Sequence, residues 1–162
     1  MQLTTSFVAL ASLFAFAAAE SHTVTFTNNC GSGTPTLVSQ NGSILSTGQK
    51  FTSNGPLNGA LAYLQSGTQC GLNGDSCTTV ETTLKNPTTP GGGSGTDITL
   101  VPPHKFSVTS GFQYTNGCSG GETCSSANCP GAFTNATNGK IVSCQTDNVG
   151  VTINLILACP LC

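Results

Sequence analysis

The sequence contains no arginine and no tryptophan, and only 6% of its 162 residues are charged. Its only strong cations are four lysines, and its net charge is -2. Binding to nucleic acid or to an anionic membrane surface relies on clustered Lys and Arg. The composition therefore argues against both kinds of partner, and we expect the protein to act on neither.

Long apolar runs are also missing, apart from one at the amino terminus. The segment from Phe7 to Phe16 is too short to cross a bilayer, and the small residues Ala17-Ala18-Ala19 follow it. This pattern is typical of a secretory signal peptide that is cleaved after Ala19. The sequence thus predicts a signal peptide over 1–19, a single mature domain over 20–162, and secretion to the medium or the cell wall.

Cysteine is the residue that is abundant, with nine copies in the chain. In an oxidising compartment cysteines pair, so we expect four disulfides and one odd thiol. Two sequons predict N-glycans, on Asn41 in Asn-Gly-Ser and on Asn135 in Asn-Ala-Thr. Both sequons lie among turn-forming residues, which favours exposure.

Alternation of polar and apolar residues recurs along the mature chain, and no sustained helical period occurs outside the leader. This pattern indicates an all-β fold, an antiparallel β-sandwich stapled by disulfides. The glycine-rich segment from Pro87 to Gly95 is interpreted as a loop rather than a domain linker. The clearest predicted strands are His22–Asn28, Thr36–Val38, Asp97–Val101, Lys105–Thr109, Lys140–Ser143 and Val149–Leu157.

Several short segments occur in an order that carries a family resemblance. An opening strand ends in Cys30, Val80–Leu84 and Asp97–Val101 follow, and the closing strand ends in Cys159-Pro160. The whole resembles a small, truncated thaumatin-like protein, and more closely the short secreted glycopeptides of mushroom-forming fungi. The resemblance covers most of the mature chain and implies a thaumatin-like type of sandwich.

The resemblance also implies a disulfide map, and it leaves Cys162 without a partner. Cys162 could stay free, pair with Cys159 or join another chain. Its spacing in Cys159-Pro160-Leu161-Cys162 is that of a redox motif, but such a motif normally opens a helix, and this one ends the sequence. The four implied disulfides are Cys30–Cys159, Cys70–Cys77, Cys118–Cys144 and Cys124–Cys129.

Departures from the family pattern bear on function. Only 14 residues separate Cys129 from Cys144, so the family's second lobe is missing. The resemblance places Glu81 and Asp97 at two positions of the family's acidic cleft. Pro102 stands where the next cleft aspartate is expected, and the cleft arginine has no counterpart.

Glycoside hydrolysis needs two carboxylates at a defined separation, and Glu81 and Asp97 are the only pair that we propose for it. Three hypotheses remain open: a non-catalytic, wall-associated protein that binds carbohydrate, a weak β-1,3-glucan hydrolase using this pair, and a structural or interaction protein without a sugar ligand. The expected partner is β-glucan or another wall polysaccharide. We expect a monomer without a cofactor.

One alternative involves copper. If the signal peptide were cut after Ser21, His22 would become the amino terminus, and with His104 it could bind copper through the α-amine and two imidazoles. The better cleavage site after Ala19 argues against this. The absence of a Cys-Cys dipeptide excludes a hydrophobin.

Overall fold

The computed structural model describes residues 19–29, 31–67 and 69–156. Among these residues the regular structure consists of strands alone, and no helix is long and apolar enough to cross a bilayer. The strands are β1 Ser21–Asn28, β2 Thr34–Val38, β3 Ile44–Ser46, β4 Phe51–Asn54, β5 Leu57–Gln65, β6 Thr79–Leu84, β7 Ser94–Thr99, β8 Thr109–Thr115, β9 Gly121–Cys124, β10 Val142–Cys144 and β11 Gly150–Ile156.

Two sheets form the sandwich. The first has five strands in the order β4-β1-β11-β8-β9, and the second has six in the order β10-β7-β6-β5-β2-β3. Only the pairing of β1 with β11 is parallel, and all other strand pairs are antiparallel. The predicted disulfide-stapled β-sandwich is therefore confirmed.

Strict alternation places the core between the sheets. In β11 the side chains of Val151, Ile153 and Leu155 are buried, whereas Thr152 and Asn154 between them are partly exposed. Successive side chains of a strand point to opposite faces, so one face of each sheet supplies the apolar contacts. Tyr114 links the two sheets, because its hydroxyl donates to Thr96 Oγ1 and Val142 O, both at 2.9 Å.

Three disulfides join cysteines of the described residues. They are Cys70–Cys77, Cys118–Cys144 and Cys124–Cys129, with Cα atoms 5.5, 6.1 and 5.4 Å apart. These are three of the four pairs that the resemblance implies. The fourth pair, Cys30–Cys159, and Cys162 lie outside the described residues, as does the predicted signal peptide up to residue 18.

Three predicted strands are wrong in position, and the one predicted over Lys140–Ser143 is β10, which runs from Val142 to Cys144. Residues 105–108 are not a strand, because Thr78 rather than a ladder partner holds them: its Oγ1 accepts the N–H of Ser107 at 2.9 Å. Similarly, β7 runs from Ser94 to Thr99 rather than from Asp97 to Val101. Strand β7 ends where the N–H of Val101 donates a hydrogen bond to Thr99 Oγ1 at 3.2 Å.

The outer face of the six-stranded sheet is covered at one end only. The loop from 66 to 78, closed by Cys70–Cys77, packs over Tyr63 and Val38 to form a small second core. Tyr63 helps to hold this loop, since its hydroxyl donates to Leu72 O at 2.9 Å. The rest of this face lies open to solvent and carries the polar groups described next.

Candidate functional site

The two acidic residues that the sequence singles out lie directly opposite each other. Glu81 of β6 pairs with Asp97 of β7, and Leu61 of β5 pairs with Glu81 from the other side. Directly opposed residues of an antiparallel pair have Cβ atoms about 4.5–5.5 Å apart. The sheet register thus brings both carboxyl groups to one row on the open outer face.

The next row of the sheet has little side-chain bulk. It holds Thr83 between two glycines, because Thr83 pairs with Gly95 and its Oγ1 accepts the N–H of Gly59 at 3.0 Å. The row of acids and the row of glycines border an open groove of about 240 Å³. We call it the acidic groove; its lining consists of Gln40, Gly59, Leu61, Glu81, Thr82, Thr83, Gly95 and Asp97.

Asp97 is the unusual group of the acidic groove. Its Oδ1 atom is buried and has no hydrogen-bond partner among the described residues. Burial, which disfavours the charged form, raises the pKa of Asp97 from 3.8 to about 7, and the nearby charge of Glu81 adds to this effect. At slightly acidic pH the groove therefore presents a protonated Asp97 beside Glu81.

No cation neutralises this pair within the described part of the chain. The only salt bridge there joins His22 to Glu20 and lies elsewhere. An acid that keeps its proton near neutral pH can donate a hydrogen bond or a proton, and an ionised neighbour can accept one. The pair can thus bind hydroxyl groups, and in principle it can perform acid–base chemistry.

His22 has a structural role that opposes the copper alternative. The ring is fully buried, with Nδ1 2.8 Å from Val149 O and Nε2 2.9 Å from Glu20 Oε1. Both ring nitrogens are therefore engaged, and neither is left for a metal. Glu20, which cleavage after Ser21 would remove, also accepts the N–H of Asn86 at 2.7 Å.

The second histidine does not join the first. His104 Nδ1 lies 3.1 Å from both Gly74 O and Thr79 Oγ1, at the far end of the 66–78 loop. Across residues 19–29, 31–67 and 69–156, no three His, Cys, Asp or Glu side chains are grouped as metal ligands. The copper alternative is thus not supported by the placement of its two histidines.

Both sequon asparagines lie in exposed turns. Asn41 Oδ1 accepts the N–H of Ser43 at 3.3 Å, and Asn135 Oδ1 accepts the N–H of Thr137 at 2.9 Å. In each turn the amide oxygen is thus engaged by the sequon's own third residue. Glycosylation at both positions stays a prediction.

A second and larger depression, of about 550 Å³, lies over the loop after β6. Two prolines, two threonines, Gly91 and Gln145 line it, so it contains no ionisable group. It is wide and lacks converging polar groups, which are the usual mark of a specific ligand site. The smaller acidic groove is therefore the better candidate.

Sequence reasoning finds the two acids of the groove but misses Gln40, Gly59 and Gly95. Gly95 falls in the segment predicted to be a loop, yet it belongs to β7. Gly59 lies in β5, a strand that the sequence analysis does not predict because Ala60–Leu64 is an uninterrupted apolar run without polar–apolar alternation. The Asn58-Gly59 dipeptide was the available signal of an irregular backbone there, and Gly59 indeed has a φ of +54°.

No protein-family model matches this chain, and no curated protein matches it.

Proposed function

We propose that this is a secreted, wall-associated protein of thaumatin-like type that binds a wall polysaccharide in the acidic groove without cleaving it. The observation that carries the proposal is the placement of Glu81 directly opposite Asp97 in an open groove. The order of strands and cysteine pairs supports the thaumatin-like interpretation. Three disulfides in one small domain are compatible with an extracellular protein.

A sugar is a suitable ligand for chemical reasons. Carboxylates accept hydrogen bonds from hydroxyl groups, and a protonated carboxyl group can also donate one. The threonines and the glutamine of the lining add neutral polar groups. A polymer with many hydroxyl groups can form such hydrogen bonds with Glu81 and Asp97, which line the groove, whereas a purely apolar ligand forms none.

The same geometry argues against efficient catalysis. Catalytic groups are held in place by hydrogen bonds from surrounding residues, whereas Asp97 Oδ1 receives none from the described residues. The chain also has no arginine to orient either carboxylate. Losing one preorganised polar group commonly lowers rates by about 10²–10³-fold.

Binding can be measured by co-sedimentation with insoluble β-1,3-glucan and by titration with soluble laminarin oligosaccharides. We expect the wild type to bind, and the double variant Glu81→Gln/Asp97→Asn to lose most of its affinity. Asp147→Asn is the control for the loss of one carboxylate, because it removes a charge from an exposed turn outside the groove. Failure of the wild type to bind any wall polysaccharide would contradict this proposal and favour a structural or interaction role.

Hydrolysis of β-1,3-glucan is the second candidate, and the raised pKa of Asp97 favours it. In such a reaction Asp97 is the general acid, and Glu81 is the nucleophile or the base that activates water. Sugar release from laminarin by the wild type, lost in both Glu81→Gln and Asp97→Asn, would establish the hydrolase. Binding without release supports the non-catalytic proposal.

A further inference from the structure

We propose that Asn116 is a site of spontaneous covalent modification, at which the side-chain amide is lost as ammonia and an aspartate or isoaspartate remains. The reaction consumes water alone and needs neither an enzyme nor a cofactor. It is independent of the proposed function. Asn116 lies in the connection between β8 and β9 of the five-stranded sheet, whereas the acidic groove lies on the six-stranded sheet.

The chemistry requires an asparagine that is followed by a residue with an accessible backbone nitrogen. That nitrogen gives up its proton and attacks Cγ of the asparagine; an N–Cγ bond forms, the Cγ–Nδ2 bond breaks, and ammonia leaves with the proton. Water then opens the resulting cyclic imide at one of its two carbonyl groups, which gives aspartate or isoaspartate. Glycine is the most favourable following residue, because it has no Cβ to obstruct the approach.

The sequence contains six Asn-Gly pairs, and the dipeptide alone does not rank them. In four pairs the glycine N–H already donates a hydrogen bond, which must break before the nitrogen can turn to Cγ. These four bonds join Gly42 to Ser39 O at 2.9 Å, Gly55 to Glu20 O at 2.8 Å, Gly59 to Thr83 Oγ1 at 3.0 Å and Gly74 to Gly71 O at 2.9 Å.

The fifth pair, Asn138-Gly139, is held through its side chain instead. Asn138 Oδ1 accepts the N–H groups of Thr134 at 2.9 Å and Asn135 at 3.0 Å, and Asn138 Nδ2 donates to Thr134 Oγ1 at 2.6 Å. Rotation of this carboxamide toward the Gly139 nitrogen must break all three bonds. Asn138 is therefore protected although it is exposed.

Asn116-Gly117 is the pair without either kind of protection. Both residues are exposed, and within the described ranges neither the Asn116 carboxamide nor the Gly117 N–H has a hydrogen-bond partner. The fold also requires the glycine, because its φ is +99° and an added Cβ would lie 2.8 Å from Thr146 Cγ2. The structure thus keeps the reactive neighbour of Asn116 in place.

The modification changes both charge and backbone length. Either product adds one negative charge to a chain whose net charge is -2. Isoaspartate also adds one carbon to the main chain, close to Cys118 and its disulfide with Cys144. Aged protein should therefore contain an acidic form that anion-exchange chromatography separates from fresh protein.

The test incubates the purified, folded protein at mildly alkaline pH and follows each Asn-Gly pair by peptide mass spectrometry. We expect Asn116 to be converted about 3–10-fold faster than Asn54, Asn58 or Asn73, the factor that one hydrogen bond contributes. Asn138 should also react more slowly than Asn116. Conversion of Asn116 at or below the rate of these other asparagines would overturn the inference.

The same chain, reduced and unfolded in denaturant, is the control for the role of the fold. There the hydrogen bonds are gone, so the preference for Asn116 should largely disappear, and a preference that persists would show that the fold does not select the site. Asn116→Gly has no amide and suits the φ of +60° at this position. This variant should lack the early acidic form, and an unchanged acidic form would place the modification elsewhere and contradict the proposal.

Discussion

The carboxyl groups of Glu20 and Asp97 have opposite surroundings in this β-sandwich. Glu20, just before β1, accepts the N–H of Asn86 at 2.7 Å and contacts the buried ring of His22 at 2.9 Å. These hydrogen bonds lower the pKa of Glu20. Asp97 has a buried oxygen without a partner among the described residues, and burial raises its pKa to about 7.

The difference separates a structural polar group from a functional candidate. Burying a polar side chain is tolerated when it is hydrogen-bonded, as His22 is, and such networks tie segments of the chain together. An unsatisfied atom lowers stability unless a ligand completes it. On this comparison the Glu20–His22 pair holds β1 in place, whereas the surroundings of Asp97 disfavour its ionised form.

The largest expected effect is on the structural side. His22→Ala leaves Val149 O without its ring partner and empties a fully buried site. We expect a loss of about 2–4 kcal/mol in the free energy of unfolding, or a fall of roughly 6–12 °C in Tm. The control is His104→Ala, at a half-buried position, which should lose less. Equal losses in the free energy of unfolding would show that His22 contributes no more to stability than His104.

The next effect concerns Asp97 and pH. The unfolded chain releases this proton near pH 3.8, whereas the folded protein keeps it until about pH 7. The contribution of Asp97 to stability is therefore full below about pH 4 and is lost as the pH rises to 7. Asp97→Asn should raise Tm at pH 8 by about 2–6 °C relative to wild type and have little effect at pH 3.5. Thermal scans across this range check the prediction, with Asp147→Asn as the control.

Glu81→Gln tests the cause of that raised pKa. Burial is the larger cause and the charge of Glu81 the smaller one. The variant should therefore lower the pKa of Asp97 but leave it above 3.8, as followed by NMR titration of the Asp97 side chain. A return to 3.8 would mean that the charge of Glu81, not burial, dominates.

The smallest effect is expected for Glu20→Gln. The variant keeps an oxygen that can accept the N–H of Asn86 and removes only the charge. Because the pKa of Glu20 is lowered in the folded protein, its contribution is present above the unfolded pKa and is lost as the pH falls through the folded value. The charge of a partly exposed carboxylate contributes little, so Tm at pH 7 should fall by no more than about 2 °C. A larger fall in Tm would show that the charge of Glu20 contributes as much to stability as the His22 ring does.

Strands whose residues alternate between polar and apolar were predictable, and a strand with a continuous apolar run was not. β1 and β11 follow their alternation closely, from Ser21 to Asn28 and from Gly150 to Ile156. β5 contains the uninterrupted apolar run Ala60–Leu64, so Leu57–Gln65 has no clear alternation. The end of β7 was misplaced because the N–H of Val101 donates to Thr99 Oγ1, a contact that no periodicity reveals.

By itself, the sequence determined the class of fold and the two acids. Alternation is a property of short windows, and it settles whether a segment can form a half-buried strand. Cysteine content and the lack of basic residues are properties of the composition. Tertiary structure alone decided the register that sets Glu81 opposite Asp97, the row that Thr83 shares with Gly59 and Gly95, and the lack of a partner for Asp97 Oδ1 among the described residues. Register and burial arise from pairing between distant segments, so no local pattern contains them.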